Sequence, residues 1–244
     1  MAEVFAYAQG LVVKLDRPEW QGIAAMEADV IGRMDAAGLP VARCHGVVTV
    51  GDRSGIVLDR VDGGSLLEVL LDAPADEAVA LAQRFVELQA ELGAAAVDGL
   101  PVLVDRLAGE LALSGLPDDL QAELRGLLHE LDDGRRAVCH FDLHPGNVLV
   151  GPLGWVVIDW LGVAAGPMAA DVVRTLLIWD RMTGRLAAFM EAVRRLGLAR
   201  HGIDDASCGA WARVLAGARL AEGFDETESA WLSAVAAGTI RLAQ

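Results

Sequence analysis

The stretch His140-Phe141-Asp142-Leu143-His144-Pro145-Gly146-Asn147 decides how the rest of this chain is read. It packs two imidazoles, a carboxylate and a carboxamide around a proline-glycine turn, and β-prone runs flank it. Ala137 to Cys139 precede it; Val148 to Val150 follow, then the turn Gly151-Pro152-Leu153-Gly154 and the run Trp155 to Ile158, which ends on Asp159. Asn147 is the only asparagine of 244 residues, and Lys14 is the only lysine among 20 basic residues. Scarcity alone proves nothing, because an Ala, Gly and Arg-rich chain can reflect its coding bias. The neighbourhoods of the two residues carry the argument.

Working outward, Glu3 to Tyr7 and Leu11 to Leu15 read as a hairpin around Ala8-Gln9-Gly10, which puts Lys14 on a strand. Trp20, Ile23, Met26, Val30, Ile31 and Met34 recur at helical spacing from Pro18 to Ala37, with Gly38-Leu39-Pro40 as the stop. Val47 to Val50 and Ile56 to Val61 form a second hairpin across Gly51 to Gly55. Asp62-Gly63-Gly64 then breaks the pattern before Ser65 caps a new helix. Helices are predicted near 65–72, 75–95, 101–113 and 117–131, separated by Pro74, Pro101 and Pro117, and again from about 168 to 243. The predicted class is α+β, with a β-rich lobe at 1–62 and a mainly helical lobe at 63–244.

Composition bounds the function. The chain is 54% hydrophobic and 23% charged, and 35 acidic against 20 basic residues give a net charge of −15, which opposes a broad polyanion-binding surface. No long uncharged apolar run exists and no basic segment with an apolar stretch opens the chain, so a cytoplasmic protein is expected. Cys44, Cys139 and Cys208 lack paired metal spacing and read as reduced thiols.

His140, Asp142 and Asn147 fall in the H-x-D-x-x-x-x-N spacing of a kinase catalytic loop, with Asp159 beyond them at the end of a hairpin. Phosphoryl transfer needs a carboxylate to orient an attacking hydroxyl and take its proton, oxygen ligands for Mg²⁺, and cations on the remaining phosphate charge. Asp142 suits the first role, and Asn147 and Asp159 the second. Lys14 supplies a point charge to the α and β phosphates, and Glu27 on the following helix pairs with it, with Glu19 a competitor on the same helix. His144 is either a donor to the transferring phosphate or a loop-stabilising imidazole. His45, His129 and His201 have no partner at ligand spacing.

His140 to Asn147, Ile158-Asp159-Trp160 and the later Gly166-Pro167 with Asp171 resemble the aminoglycoside phosphotransferase and choline kinase-like family. The resemblance extends to Gly38-Leu39-Pro40-Val41 and to Val57 through Gly63. It implies a two-lobed protein kinase-like fold with the reaction in a cleft between the lobes. It implies ATP, or alternatively GTP, with Mg²⁺ as cofactors, and an alcohol group of a small molecule as acceptor. Backbone groups near Asp59 and Val61 would meet the adenine edge, His140 would prop the loop, and Asp171 would anchor it from below. The family's C-terminal helices line the acceptor site, so Glu222, Asp225, Glu226 and Glu228 would suit a cationic acceptor; their alternative is a solvated helix start.

Two departures follow. Only 13 residues precede Lys14, too few for two strands and a phosphate-covering loop, so the first strand and glycine-rich loop are expected to be missing or the true start to lie upstream. Phe141 stands where members of the family commonly have glycine; its ring either narrows the acceptor pocket or packs into the core. Two other functions stay open at this stage: a kinase for Ser or Thr of a peptide, and a pseudokinase scaffold.

Overall fold

The computed structural model describes residues 3–17, 22–181 and 186–242. Two compact units emerge. The first comprises Met1–Val69, Ala95–Val97 and His144–Val163; the second comprises Leu70–Ala94, Asp98–Leu143 and Ala164–Gln244.

Unit 1 is built on a four-stranded antiparallel sheet in the order β1-β2-β4-β3, from β1 (Glu3–Ala8), β2 (Leu11–Leu15), β3 (Cys44–Val50) and β4 (Arg53–Asp59). Both predicted hairpins are present. The central strand β4 buries Ile56, Val57 and Leu58 in succession, as a strand covered on both faces does. Gly55 sits where β2 comes closest: a Cβ there would stand 2.5 Å from the Lys14 carbonyl, so only glycine fits beside the lysine. Helix α1 (Ile23–Ala36) packs against β3 and β4.

The helix differs from its expected extent. It begins after Gly22, whose φ of 94° is left-handed. The expected start at Pro18, together with Glu19 and Trp20, lies outside the described residues. Its buried face is Ala24, Glu27, Ile31 and Met34, while Met26, expected to face inward, is exposed.

The break at Asp62 to Gly64 lies within unit 1, because the two-residue β5 (Gly64–Ser65) pairs with β7 (Val148–Gly151), which in turn pairs with β8 (Gly154–Val157). Ser65 caps α2 (Leu66–Asp72) reciprocally. Its Oγ accepts the Glu68 N–H at 3.2 Å, and Glu68 Oε2 accepts the Ser65 N–H at 2.7 Å.

Unit 2 is helical. Helix α3 (Ala75–Ala94) packs on α7 (Ala187–His201), and α8 (Asp205–Arg219) is flanked by α4 (Leu103–Ala112), α5 (Asp118–Leu131), α6 (Met168–Trp179) and α9 (Glu226–Ala236). Phe85 and Phe189 meet edge to face at 5.6 Å across α3 and α7. Besides the short β5, the sequence reading missed β9 (Ala164–Gly166), which pairs antiparallel with β6 (Ala137–Cys139). Its three small residues carry no alternation to recognise. All three cysteines are free. Among the described residues, no helix is long and apolar enough to cross a membrane.

Candidate active site

In unit 1, the ammonium of Lys14 lies 2.5 Å from Glu27 Oε1 and 3.3 Å from Asp159 Oδ1. Burial works against the lysine's charge, but the two carboxylates outweigh it and hold its pKa above the ordinary value. Glu27 is only 2% exposed, and burial pushes its carboxyl upward against the pull of Lys14. No side chain caps α1 at Gly22; Asp16, two residues beyond the lysine, does that work from the end of β2. Its Oδ2 accepts the Ala24 N–H and the Ser54 hydroxyl, each at 3.0 Å. The strand carrying Lys14 and the helix carrying Glu27 are thereby tied together.

Asn147 and Asp159 are brought to one end of the β7–β8 hairpin. Val148 pairs with Val157, and the Ile158 N–H donates to the Asn147 carbonyl at 3.0 Å, one residue before Asp159. Asp159 has φ 64° and opens a 3₁₀ turn, Trp160–Gly162, against which α1 packs. The Trp160 indole N–H fixes that turn on the Val157 carbonyl at 3.0 Å. His144 Nδ1 accepts the Gly146 N–H at 3.0 Å, which leaves the ring's proton on Nε2. A carboxamide beside a carboxylate is a hard-oxygen pair of the kind that holds Mg²⁺ together with waters and phosphate oxygens. Among the described residues, no group of three or more His, Cys, Asp or Glu could hold a metal unaided. At the end of β4, the Asp59 N–H donates to Arg43 O at 3.0 Å, and one residue beyond the strand the Arg60 N–H donates to Gly10 O at 2.9 Å, so both amides have backbone partners. The Asp59 side chain meets His45 Nε2 at 2.7 Å, a partner that sequence spacing did not suggest.

In unit 2, four side chains grip the backbone that leads into and out of Asp142. Asp171 Oδ1 accepts the Phe141 N–H at 2.6 Å, and buried His140 accepts the Asp142 N–H on Nδ1 at 3.3 Å. Arg174 Nε donates to the Phe141 carbonyl at 3.3 Å, and the Thr175 hydroxyl donates to the Leu143 carbonyl at 2.9 Å. Gln89 holds the other oxygen of Asp171 at 2.8 Å. Burial lifts the Asp171 carboxyl to about 6, against the opposing hydrogen bonds from Gln89 and Phe141.

Phe141 occupies the left-handed region with φ 65°, where a bulky side chain is strained. Its ring is 1% exposed and packs inside unit 2, with the guanidiniums of Arg106 and Arg174 at 4.6 and 5.0 Å from its centroid. Of the two fates left open by the sequence, the ring takes the core. The acidic cluster near α9 is internally engaged. Glu222 takes Arg174 at 2.6 Å and Arg219 at 3.5 Å, Asp225 caps α9 through the Glu228 N–H, and Glu228 pairs with Arg181 at 3.1 Å.

Sequence reasoning missed Asp16, Arg174, Thr175 and Gln89. A signal existed for two of them. Asp171, Arg174 and Thr175 follow i, i+3, i+4 along the otherwise apolar α6, which places three polar groups on one buried helical face.

A model of a phosphotransferase enzyme family matches residues 5–216. The fold is similar to a thermostable mutant of aminoglycoside phosphotransferase APH(4)-Ia in ternary complex with ADP and hygromycin B. The TM-score is 0.69 at 16% identity, over 98% of this chain and 92% of that one. It is also similar to amicoumacin kinase in complex with AMP-PNP and Ca²⁺, with TM-score 0.62 and 17% identity over 96% of this chain and 86% of that one. A third similar structure is APH(3'')-Id from Streptomyces rimosus, with TM-score 0.60 and 19% identity over 90% and 89%. No curated protein matches the sequence.

Proposed function

This chain belongs to the phosphotransferase enzyme family and has its kinase-like α+β fold, and from that premise we propose that it moves the γ-phosphoryl group of ATP to a hydroxyl of a small molecule with Mg²⁺. The observation that carries the reading is the Lys14 ammonium held by Glu27 and Asp159. A lysine fixed by a buried glutamate is a preorganised point charge for phosphate oxygens, which costs no reorganisation when the nucleotide arrives.

Asn147 and Asp159 would hold the Mg²⁺, which when bound supplies charge neutralisation on the phosphates. Asp142 orients the acceptor hydroxyl and takes its proton as the oxygen attacks phosphorus in line; the bond from phosphorus to the ADP oxygen breaks, and ADP leaves. His144, with its proton on Nε2, donates to a phosphoryl oxygen. The Asp59 carbonyl and Val61 amide meet the adenine edge, a contact that GTP would make differently.

The acceptor is a small alcohol; aminoglycoside phosphotransferases and amicoumacin kinase among the similar folds support that size class. The ion pairs of Glu222 and Glu228 leave the acidic cluster less able to attract a cation than its composition suggests.

The test is transfer of radiolabelled γ-phosphate from ATP, and in parallel from GTP, to a panel of aminoglycosides, amino sugars, nucleosides and Ser/Thr peptides. Label is expected on a small alcohol, and Asp142→Ala and Asp159→Ala abolish it while the fold survives. An unchanged turnover number in either variant removes the mechanism, and label confined to peptides changes the acceptor class.

A further inference from the structure

We propose that Arg174, braced by Glu222, is the positioning residue for Asp142. The proposal rests on the reading of Asp142 as the group that takes the hydroxyl proton. Phe141 C=O and Asp142 N–H belong to the same peptide unit, and each is held from its own side: the carbonyl by Arg174 Nε at 3.3 Å, the amide by His140 Nδ1 at 3.3 Å. Rotation of that peptide plane swings the Asp142 side chain, so the two contacts together fix its direction. Asp171 sets the preceding amide, leaving Arg174 as the side chain on the carbonyl.

Arg174 also has a strained backbone to hold. A phenylalanine at φ 65° is strained relative to its preferred conformations and persists only where its surroundings over-determine it. Arg174 contributes to that twice, through the carbonyl bond and through its guanidinium over the ring. The residue is only 6% exposed, so its charge needs compensation. Glu222 Oε1 supplies it at 2.6 Å, and Arg219 Nε at 3.5 Å steadies the other oxygen. Glu222 lies on the short turn Leu220–Glu222, whose following helix is capped by Asp225. The line of contact runs from that turn through Arg174 to the carbonyl beside Asp142.

The experiment uses the full chain with Mg-ATP as probe and water as acceptor, so it does not depend on knowing the alcohol. Arg174→Met keeps volume and removes the donors. Its hydrolytic kcat is expected to fall roughly 10²-fold, the usual consequence of a misplaced reactive group, with KM for ATP within about twofold. In the same variant the Asp142 amide exchanges with deuterium at least about tenfold faster, while amides of α8 keep their protection. Glu222→Gln lowers kcat by about fivefold, the worth of one hydrogen bond. Glycine accepts the left-handed conformation without help, so Phe141→Gly combined with Arg174→Met recovers at least about fivefold over Arg174→Met alone.

A folded Arg174→Met protein with kcat within twofold of the parent, or with slowed exchange at Asp142, overturns the proposal. If that variant does not fold, an unchanged kcat in Glu222→Gln overturns it instead. Failure of the underlying reading shows separately, as hydrolysis retained in Asp142→Asn; if only the role of Arg174 is wrong, Asp142→Asn is still inactive.

Discussion

Lys14 Nζ and Asp159 Oδ1 stand 3.3 Å apart although 145 positions separate them in the chain. Neither residue has a local reason to meet the other. The contact arises because Lys14 extends from β2 toward α1, and the same helix packs on the turn that Asp159 opens.

Loss of the lysine strands a buried carboxylate. Lys14→Met should destabilise the protein by about 3 kcal/mol, because Glu27 is left charged without a partner. Burial raises the Glu27 pKa, so the folded state favours its protonated form; the deficit is therefore largest at neutral pH and shrinks as pH falls and the carboxyl protonates. Urea unfolding at several pH values measures this. Lys14→Met with Glu27→Gln should recover most of the stability, while calorimetry still finds Mg-ATP affinity lost. A double variant that binds Mg-ATP normally would show that the ammonium has no part in nucleotide binding.

Asp16 acts on the same pair from one step away. Asp16→Ala frees the Ala24 N–H and the Ser54 hydroxyl, and removal of a helix-capping acceptor costs about 1–2 kcal/mol. The expected kinetic effect is a rise in KM for ATP of about tenfold with a smaller change in kcat, because α1 and Glu27 lose their tie to β2. Steady-state kinetics with Mg-ATP separates the two parameters, and a variant with reduced stability but unaltered KM would make Asp16 purely architectural.

The pH dependence of stability tests Asp171. Its carboxyl, pushed up to about 6 by burial, starts from about 3.9 in the unfolded chain. A raised folded pKa stabilises the protein below about pH 4, and that contribution is lost as pH rises through about 6. Two units at 1.36 kcal/mol each make this about 3 kcal/mol. Asp171→Asn cannot titrate, so the difference between variant and parent should move in favour of the variant by about 2–3 kcal/mol from pH 4 to pH 7. A difference that stays constant across that range would mean the carboxyl titrates normally.

At Phe141 the usual ranking of small residues should invert. Truncating a buried phenylalanine costs about 3–5 kcal/mol, yet relief of the left-handed strain returns about 1–2 kcal/mol only when the replacement is glycine. Phe141→Gly is therefore expected to be more stable than Phe141→Ala by about 1 kcal/mol. Thermal melts of the two proteins, side by side, decide it, and alanine above glycine would mean that φ at this position relaxes when the ring is removed.

How much of this was legible in the chain depends on the range of each interaction. The catalytic-loop spacing, the lysine strand, both hairpins and helices α2 to α5 were readable because capping, turn chemistry and apolar periodicity act over a few residues. Gly22, left-handed immediately before Ile23, was not legible as the start of α1, because a glycine's backbone angle is not written in local periodicity. The internal pairing of the acidic residues near α9 was not legible, because charge is visible in a sequence and pairing is not: Arg174 and Glu222 are 48 positions apart. Phe141 was the sharpest case, since its backbone angle and the two guanidiniums over its ring have no counterpart in local sequence.

The sequence by itself determined which chemical groups this protein carries and on which elements they ride, because residue type and short-range periodicity are written in linear order. Tertiary structure alone decided which of those groups are charged, buried or paired. Burial and partner distance set the electrostatics of Lys14, Glu27 and Asp171, and both arise only when segments distant in the chain are packed together.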